Sequence, residues 1–211
     1  DSWYCTLHIR NSDWSNCRNT NIEDYDKVID YIIEQGGQVL LTGNDLTKKN
    51  GLPYVPKNSN ADLRLFLLAK QKLMIASSSG PVHSSFLFDI PVLLTNNIFW
   101  EFFTWSYKDS SLPKMILNKK TDKLLKRSEY MELRKCEKYS MEGLDHGYTA
   151  IDNSSKEILT AFKNKLTEMS LANYGCFPKQ ERFRSAFDES FYIHSTHSKI
   201  DNSYYEKYQK I

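Results

Sequence analysis

Apolar and polar residues alternate along the first 97 positions with two different periods, and this pattern predicts strands connected by helices. Residues 3–10 alternate with a period of two, which places Cys5, Leu7 and Ile9 on one face of a strand. Residues 22–34 instead repeat their apolar side chains at helical spacing, with Asn21 as the predicted N-cap. A buried strand follows at 38–42 and closes at Gly43.

The same alternation continues along the chain. We expect a loop at 44–59 with a short strand at 54–55, strands at 73–76 and 90–95, and a helix at 81–88 between them. A helix at 62–70 is predicted to bury Leu63, Phe66, Leu67 and Leu68. This order predicts an α/β fold with a Rossmann-like, doubly wound parallel sheet over residues 1–170. Residues 171–211 are predicted to form a polar, helical extension that packs back on this domain or on a partner.

Beyond residue 97 the periodicity weakens. The aromatic-rich residues 98–107 are interpreted as packed core or as an interface between domains. Residues 114–138 contain nine Lys or Arg and four Asp or Glu, which we interpret as a solvated helical face. The alternative is attraction to an anionic membrane surface or to a phosphorylated acceptor. Ser154 and Glu157 predict a capping box for a helix that ends near residue 169, and Tyr204, Tyr205 and Tyr208 lie on a short terminal helix.

Composition excludes several classes of protein. The 211 residues are 40% hydrophobic and 26% charged, which is ordinary for a folded domain and unlike a disordered chain. A net charge of +2 does not favour a nucleic-acid partner, and no apolar run approaches the ~18 residues of a membrane helix. Four scattered cysteines indicate neither a metal site nor disulfides, so we expect a cytoplasmic protein. Because the chain begins at Asp1 on a strand, we expect it to be part of a longer protein.

The first candidate site is the pattern His8-x-Arg10-x-x-Asp13 at the end of the first strand. Ligands of open α/β sheets bind beyond the carboxyl ends of the strands. A guanidinium there suits phosphate oxygens, because it offers several rigid donors and a permanent charge. Asp13 would then hold His8 or Arg10 in place, or accept a proton from an attacking hydroxyl. The alternative is an ordinary strand end with an exposed, ion-paired arginine.

The second candidate site is the segment from Ser77 to His83, SSSGPVH, between a predicted strand and a helix. Pro81 suits the first helical position, which makes Gly80 the predicted N-cap. The N–H groups of Val82 and His83 would then be unpaired and point toward an anion. The alternative is a capped helix without a ligand. Since both candidate sites follow strands of one sheet, we expect them to share a crevice and to bind one pyrophosphate between them.

These residues carry a resemblance to a known family. The stretch from Ser77 to Asn97, SSSGPVHSSFLFDIPVLLTNN, resembles the phosphate-binding strand–helix–strand of GT-B glycosyltransferases such as the heptosyltransferases. The sequence HIRNSD from His8 is similar to the HxRxxD signature of GT-B fucosyltransferases. Over roughly residues 3–160 the combination resembles bacterial glycosyltransferases from surface-polysaccharide loci. The Asp-Thr of the heptosyltransferase motif is Ser78-Ser79 here, so that acidic group is absent.

The resemblance implies the carboxyl-terminal, donor-binding half of a metal-independent GT-B enzyme without a cofactor. Its partners would be a nucleotide diphosphate sugar, a glycan or lipid-linked acceptor, and an amino-terminal domain or a partner chain. The basic run 114–138 adds the alternative of peripheral contact with an anionic membrane at its inner face. Arg10 would contact the diphosphate, and Asp13 and His8 would complete the catalytic set. The donor-binding residues would also include Arg18, Asn19, Gly43, Ser78, Ser79, Gly80, Val82 and His83.

Two other functions remain open from the sequence. One is a non-catalytic module that binds a sugar nucleotide within a polysaccharide-assembly complex. The other is a GT-B-like sugar-nucleotide epimerase, which should carry several acids in its crevice, and for which Asp13 and Asp45 are the candidate acids.

Overall fold

A computed structural model describes residues 2–43, 49, 51–56, 58–100, 106–140, 143–172 and 199–208. Its strands are β1 (Trp3–Ile9), β2 (Gly37–Gly43), β3 (Tyr54–Val55), β4 (Leu73–Ser77), β5 (Val92–Asn97), β6 (Ser110–Pro113), β7 (Met115–Asn118), β8 (Lys123–Leu124), β9 (Tyr148–Ile151) and β10 (Lys199–Ile200). Its α-helices are α1 (Asp26–Glu34), α2 (Ala61–Lys70), α3 (Val82–Phe86), α4 (Arg127–Lys135), α5 (Ser155–Ser170) and α6 (Asn202–Tyr208).

The main sheet has seven strands in the order β10-β6-β5-β4-β1-β2-β3. Neighbouring strands pair in parallel, with Leu7 of β1 opposite Leu41 of β2 on one side and Ile75 of β4 on the other. The predicted α/β fold with a Rossmann-like parallel sheet is therefore confirmed. The carboxyl ends of β1, β2 and β4 meet at one edge of the sheet.

The strands at the centre of the sheet are buried on both faces, as parallel sheets require. One face carries Cys5 and Leu7, which pack into the large core together with α1 and α5. The opposite face carries Met74 and Ala76, which pack with Val82 of α3 in a smaller cluster. Helix α5 begins at the predicted capping box, in which the Glu157 side chain accepts from the Ser154 N–H at 2.9 Å.

Two helices differ from the sequence prediction. An irregular 3₁₀ turn occupies Ile22–Tyr25, so α1 begins only at Asp26, and the side chain of Asn21 forms no capping hydrogen bond. Helix α2 has the predicted position but does not bury the predicted face, since Phe66 is 58% exposed and Leu63 48% exposed. The four leucines and the phenylalanine of α2 are distributed around most of the helix. When one side of the helix packs on the sheet, other apolar side chains therefore stay exposed to solvent.

A second, antiparallel sheet of three strands, in the order β8-β7-β9, was not predicted. Its strands have two to four residues, which is too short for a period of two to be recognised. The basic run 114–138 spans β7, β8 and α4, so the interpretation as one solvated helical face is wrong. Lys114 shows the difference: its side chain is 3% exposed and its Nζ lies 2.6 Å from Asp152 Oδ1.

The carboxyl-terminal residues 199–208 pack against the rest of the chain. Strand β10 adds to the sheet beside β6, and the Tyr204 hydroxyl donates to the Pro113 carbonyl. The Tyr208 hydroxyl and Lys207 Nζ each lie 2.9 Å from Glu157 at the start of α5. The domain boundary at residue 170 stays a prediction. Phe99 and Trp100 are buried as expected for packed core, whereas residues 101–105 lie outside the described part of the chain. Among the helices that the structure describes, none has the length and apolar character needed to cross a membrane.

Candidate functional site

A cleft of about 450 Å³ opens at the edge of the sheet where β1, β2 and β4 end. This is the edge at which open α/β sheets bind their ligands. Residues from both sequence-predicted sites line it: His8 and Arg10 from the end of β1, Gly43 from the end of β2, and Ser79 and Pro81 after β4. The expectation that the two sites share one crevice is therefore met by the geometry.

His8 connects three segments at the floor of this cleft. Its Nδ1 lies 3.1 Å from Thr42 Oγ1 on β2, and its Nε2 lies 3.1 Å from Ser79 Oγ in the turn after β4. The side chain is 8% exposed. Burial lowers the pKa of His8 to about 4, with a further contribution from the positive charge of Arg10. The imidazole is consequently neutral at neutral pH and bridges two hydroxyl groups.

Arg10 follows His8 by two residues and reaches the same cleft. Its backbone N–H donates to Ser77 Oγ at 2.8 Å, which ties the end of β1 to the end of β4. Its Nη2 donates to Ser12 Oγ at 3.2 Å and to the Trp14 carbonyl. Its Nε is buried and has no acceptor among the described residues. The loop after β1 (residues 10–20) thus holds the guanidinium through neutral oxygens, and no carboxylate among the described residues pairs with its charge.

Arg18 contacts the second candidate site, in the turn after β4. Its side chain is buried, and its Nη2 donates to the Ser78 carbonyl at 3.0 Å. Burial and the nearby charge of Arg10 lower the pKa of Arg18 from its usual value. The guanidinium carbons of Arg10 and Arg18 lie 5.5 and 5.4 Å from the ring centroid of Trp14. An aromatic ring attracts both cations without neutralising them, as a carboxylate would.

No carboxylate of a described residue lies within ion-pair distance of Arg10 or Arg18. Asp13 in particular is exposed and contacts neither Arg10 nor His8, so the predicted role of holding them in place is wrong. The loop turns at Ser15, which has a positive φ of 59°, and Asp13 lines a second cleft of about 630 Å³ on the other side of the loop. Within the described part of the chain, the charges of Arg10 and Arg18 therefore have no carboxylate partner.

The Asn19 side chain stabilises the loop that carries Arg10 by bonding to the backbone of Ser12. Its Oδ1 accepts from the Ser12 N–H at 3.1 Å, and its Nδ2 donates to the Ser12 carbonyl at 2.8 Å. These two bonds close the loop that carries Arg10 at one end and Arg18 near the other. Asn19 borders the second cleft, so the structure places it beside the predicted site instead of in it.

The turn after β4 departs from the prediction at its backbone. The N–H groups of Val82 and His83 are not unpaired, because they donate to the carbonyls of Ser79 at 3.2 Å and Gly80 at 3.1 Å. Pro81, not Gly80, is the residue before the first helical position, and α3 has only five residues. The predicted anion site at these two N–H groups is therefore wrong. Val82 is buried in the smaller core cluster, whereas His83 is exposed.

The turn nevertheless contributes groups to the cleft. The Ser79 hydroxyl lines it beside His8, and the Ser78 carbonyl positions Arg18. A Cβ on Gly80 would meet no atom within 4 Å, so this exposed glycine leaves open space above the turn. On the opposite side, Gly43 ends β2 with a positive φ of 141°, and its carbonyl accepts from the Tyr54 hydroxyl at 3.1 Å.

Two residues at the site were not predicted from the sequence: Trp14 contacts both arginines, and Thr42 binds His8. Ser77, which belongs to the second candidate site, binds the backbone of Arg10. Thr42 is the residue before the last one of β2, so its position near a strand end was an available signal. Trp14 lies midway between Arg10 and Arg18 in the sequence, and only the loop's conformation shows that its ring contacts both. Asp45 lies outside the described residues, and within those residues no three His, Cys, Asp or Glu side chains form a group that could hold a metal ion.

Comparison with known proteins relates this fold to solved structures only. No protein-family model matches the chain, and no curated protein matches it. The structure of an Escherichia coli ADP-heptose lipopolysaccharide heptosyltransferase II matches with a TM-score of 0.54 and 14% identity, over 80% of this chain and 47% of that one. A family 9 glycosyltransferase from Veillonella parvula matches with a TM-score of 0.55 and 14% identity, over 79% of this chain and 46% of that one. The chain thus spans about half the length of these structures, and it shares with them a GT-B-like, Rossmann-type fold.

Proposed function

We propose that this chain is the donor-binding part of a glycosyltransferase that uses a nucleotide diphosphate sugar. The observation that carries the proposal is the pair Arg10 and Arg18, which have no carboxylate partner among the described residues. Arg10 lines the cleft, and Arg18 is buried against the Ser78 carbonyl in the turn that borders it. Buried charges are normally paired, so two arginines without such a partner in the described part of the chain favour an anionic ligand. Linked phosphoryl groups match the fork of donors that two guanidinium groups provide.

The fold adds support from an independent direction. Two structures that match with TM-scores above 0.5 are named as glycosyltransferases, one of them for ADP-heptose. The likeness of these structures to this chain concerns the fold. The more specific part of the proposal rests on the motif resemblances at His8–Asp13 and Ser77–Asn97. On those motifs we extend the proposal to a glycan or lipid-linked acceptor in bacterial surface polysaccharide synthesis, without a metal ion.

In the proposed reaction, the bond between the anomeric carbon and the diphosphate oxygen breaks while the acceptor oxygen bonds to that carbon. The diphosphate gains negative charge as it leaves, and Arg10 and Arg18 would stabilise that charge where it develops. The proton of the acceptor hydroxyl passes to a base, for which Asp13 is the proposed group. His8 is neutral at neutral pH, so its contribution would be to orient Ser79 and Thr42.

The first test is thermal unfolding of the chain with a panel of nucleoside diphosphates. A ligand at 100 times its dissociation constant stabilises a protein by about 2.7 kcal/mol. For a domain of this size that corresponds to a rise in Tm of roughly 5–10 °C. Matched nucleosides, which lack phosphate, should produce no shift. Absence of a shift with every diphosphate, or an equal shift with inorganic sulfate, would contradict the proposal.

A second test concerns the ring that holds both arginines. Trp14→Ala is expected to weaken nucleoside diphosphate binding about fivefold, because each exposed cation–π contact contributes ~0.5–1 kcal/mol to the position of its cation. Trp14→Phe keeps an aromatic face and should retain most of the affinity. Isothermal titration with the best diphosphate from the panel measures both. Equal losses in the two variants would show that the ring does not act through its aromatic face.

One other function is favoured by a specific observation. Asp13 opens into the second cleft and contacts neither His8 nor Arg10, as a non-catalytic module that binds a sugar nucleotide would allow. That module would bind the diphosphates but would not release the sugar, even when supplied with acceptor. The epimerase has two candidate acids. Asp13 lines the second cleft instead of the first, and Asp45 lies outside the described residues, so neither acid adds support for this function.

A further inference from the structure

Helix α2 presents an apolar surface that the described residues leave exposed. Phe66 is 58% exposed, with Leu63 and Leu65 beside it at 48% and 44%. Next to α2 on the same face of the sheet, the end of α3 adds Phe86, Leu87 and Phe88. A large exposed apolar patch marks an interaction surface.

The orientation of α2 is fixed by its inner side. Leu68 packs against the smaller core cluster, and Leu67 accepts a hydrogen bond from the Tyr4 hydroxyl at 2.7 Å. Residues four apart share one side of a helix, so Asp62, Phe66 and Lys70 form a stripe on the outer side. All three are exposed. Phe66 lies midway between a carboxylate in the first turn and an ammonium in the last turn.

We infer that α2 is the contact surface of a two-fold dimer of this chain, in which the two α2 helices run antiparallel and cross at Phe66. In that arrangement Asp62 of one copy faces Lys70 of the partner copy, and the second ion pair follows by symmetry. A two-fold interface must be complementary to itself. The stripe of Asp62, Phe66 and Lys70 meets this requirement, because in the antiparallel arrangement each acid faces a base. The charges on a lipid-facing surface would instead be uniformly basic, whereas Asp62 and Asp89 are exposed beside this patch.

The amount of surface agrees with a dimer. The six exposed side chains of α2 and α3 present roughly 600 Å² of apolar surface, given that a large side chain contributes ~150–250 Å² when fully buried. A stable interface takes about 800 Å² from each partner, including a polar rim. Asp62, Arg64 and Lys70 supply polar groups around the apolar centre.

The test is the mass of the purified chain in solution, measured by light scattering and sedimentation equilibrium. The chain should have about twice its mass of 24.7 kDa at micromolar concentration. Phe66→Glu should give the monomer, with an unchanged circular dichroism spectrum because the side chain is largely outside the core. Ile33→Glu is the matched control, since Ile33 is 51% exposed on α1, which packs on the opposite face of the sheet, and it should leave the dimer intact.

Charge exchange tests the antiparallel arrangement. Asp62→Lys and Lys70→Asp should each raise the dissociation constant of the dimer at least tenfold, because each places like charges opposite one another. The double variant should restore the original value. A monomeric parent chain, or single and double variants that weaken the dimer additively, would overturn the inference. Binding of a monomeric parent chain to anionic vesicles would assign the patch to a lipid surface instead.

Discussion

Arg10→Ala is expected to lower the affinity for nucleoside diphosphates by roughly 10–100-fold, since a hydrogen bond to a charged group contributes about 1.5–3 kcal/mol. Turnover should fall further, by about 10²–10³, because the guanidinium would act most strongly on the charge that develops on the leaving diphosphate. Titration calorimetry measures the binding loss, and release of the nucleoside diphosphate from a sugar nucleotide measures the turnover. Near-normal turnover in Arg10→Ala would remove Arg10 from the proposed mechanism.

Two companion variants separate the possible causes of that loss. Arg10→Lys keeps the charge but loses the fork of donors, so it should recover part of the binding and little of the turnover. Asp13→Asn lies in the same loop and points to the other cleft, so it should bind diphosphates normally. Lost turnover with retained binding in Asp13→Asn would identify Asp13 as the base. Circular dichroism checks that each variant folds, which is expected because the Arg10 side-chain bonds to described residues stay within its own loop.

The parallel sheet could be predicted because its signals are local. The period of two in β1, the helical period of α1 and the capping box at Ser154 each depend on neighbouring residues, and each element is present in the structure. The pairing of β7 with β9 and the outward face of α2 depend on contacts distant in sequence. A single strand of four residues or an apolar helix does not reveal what will pack against it.

In the candidate site, too, some features could be predicted from the sequence and others could not. Placing Arg10 and Ser79 at one edge follows from strand order, because neighbouring parallel strands end together. Whether the N–H groups of Val82 and His83 are paired depends on whether the turn at Pro81 is α-helical or 3₁₀. The Gly-Pro signal in the sequence does not distinguish the two. Asp13 lies in the second cleft in a loop that contains the left-handed residue Ser15, and a non-glycine residue carries no sequence signature for that conformation.

The stability of the fold is expected to depend on pH through His8. Its pKa is about 4 in the folded chain and ~6.5 when exposed in the unfolded chain, because burial and Arg10 disfavour the imidazolium. Between these values the unfolded state binds more protons, so stability increases with pH. The contribution of neutral His8 is therefore complete above about pH 6.5 and is lost as the pH falls toward 4. A shift of this size corresponds to roughly 3 kcal/mol.

Denaturant unfolding at a series of pH values isolates this contribution. In His8→Gln, which keeps polar atoms near Thr42 and Ser79, the free energy of unfolding should change less between pH 6.5 and 4 than in the parent chain. The difference between the two curves should approach the predicted ~3 kcal/mol. His83→Gln, at an exposed position, is the control for the exchange of histidine for glutamine, and its curve should differ less from that of the parent than the His8→Gln curve does. Parallel curves for His8→Gln and the parent would show that His8 accepts a proton in the folded state without cost, and the neutral bridge between β2 and the turn after β4 would then be wrong.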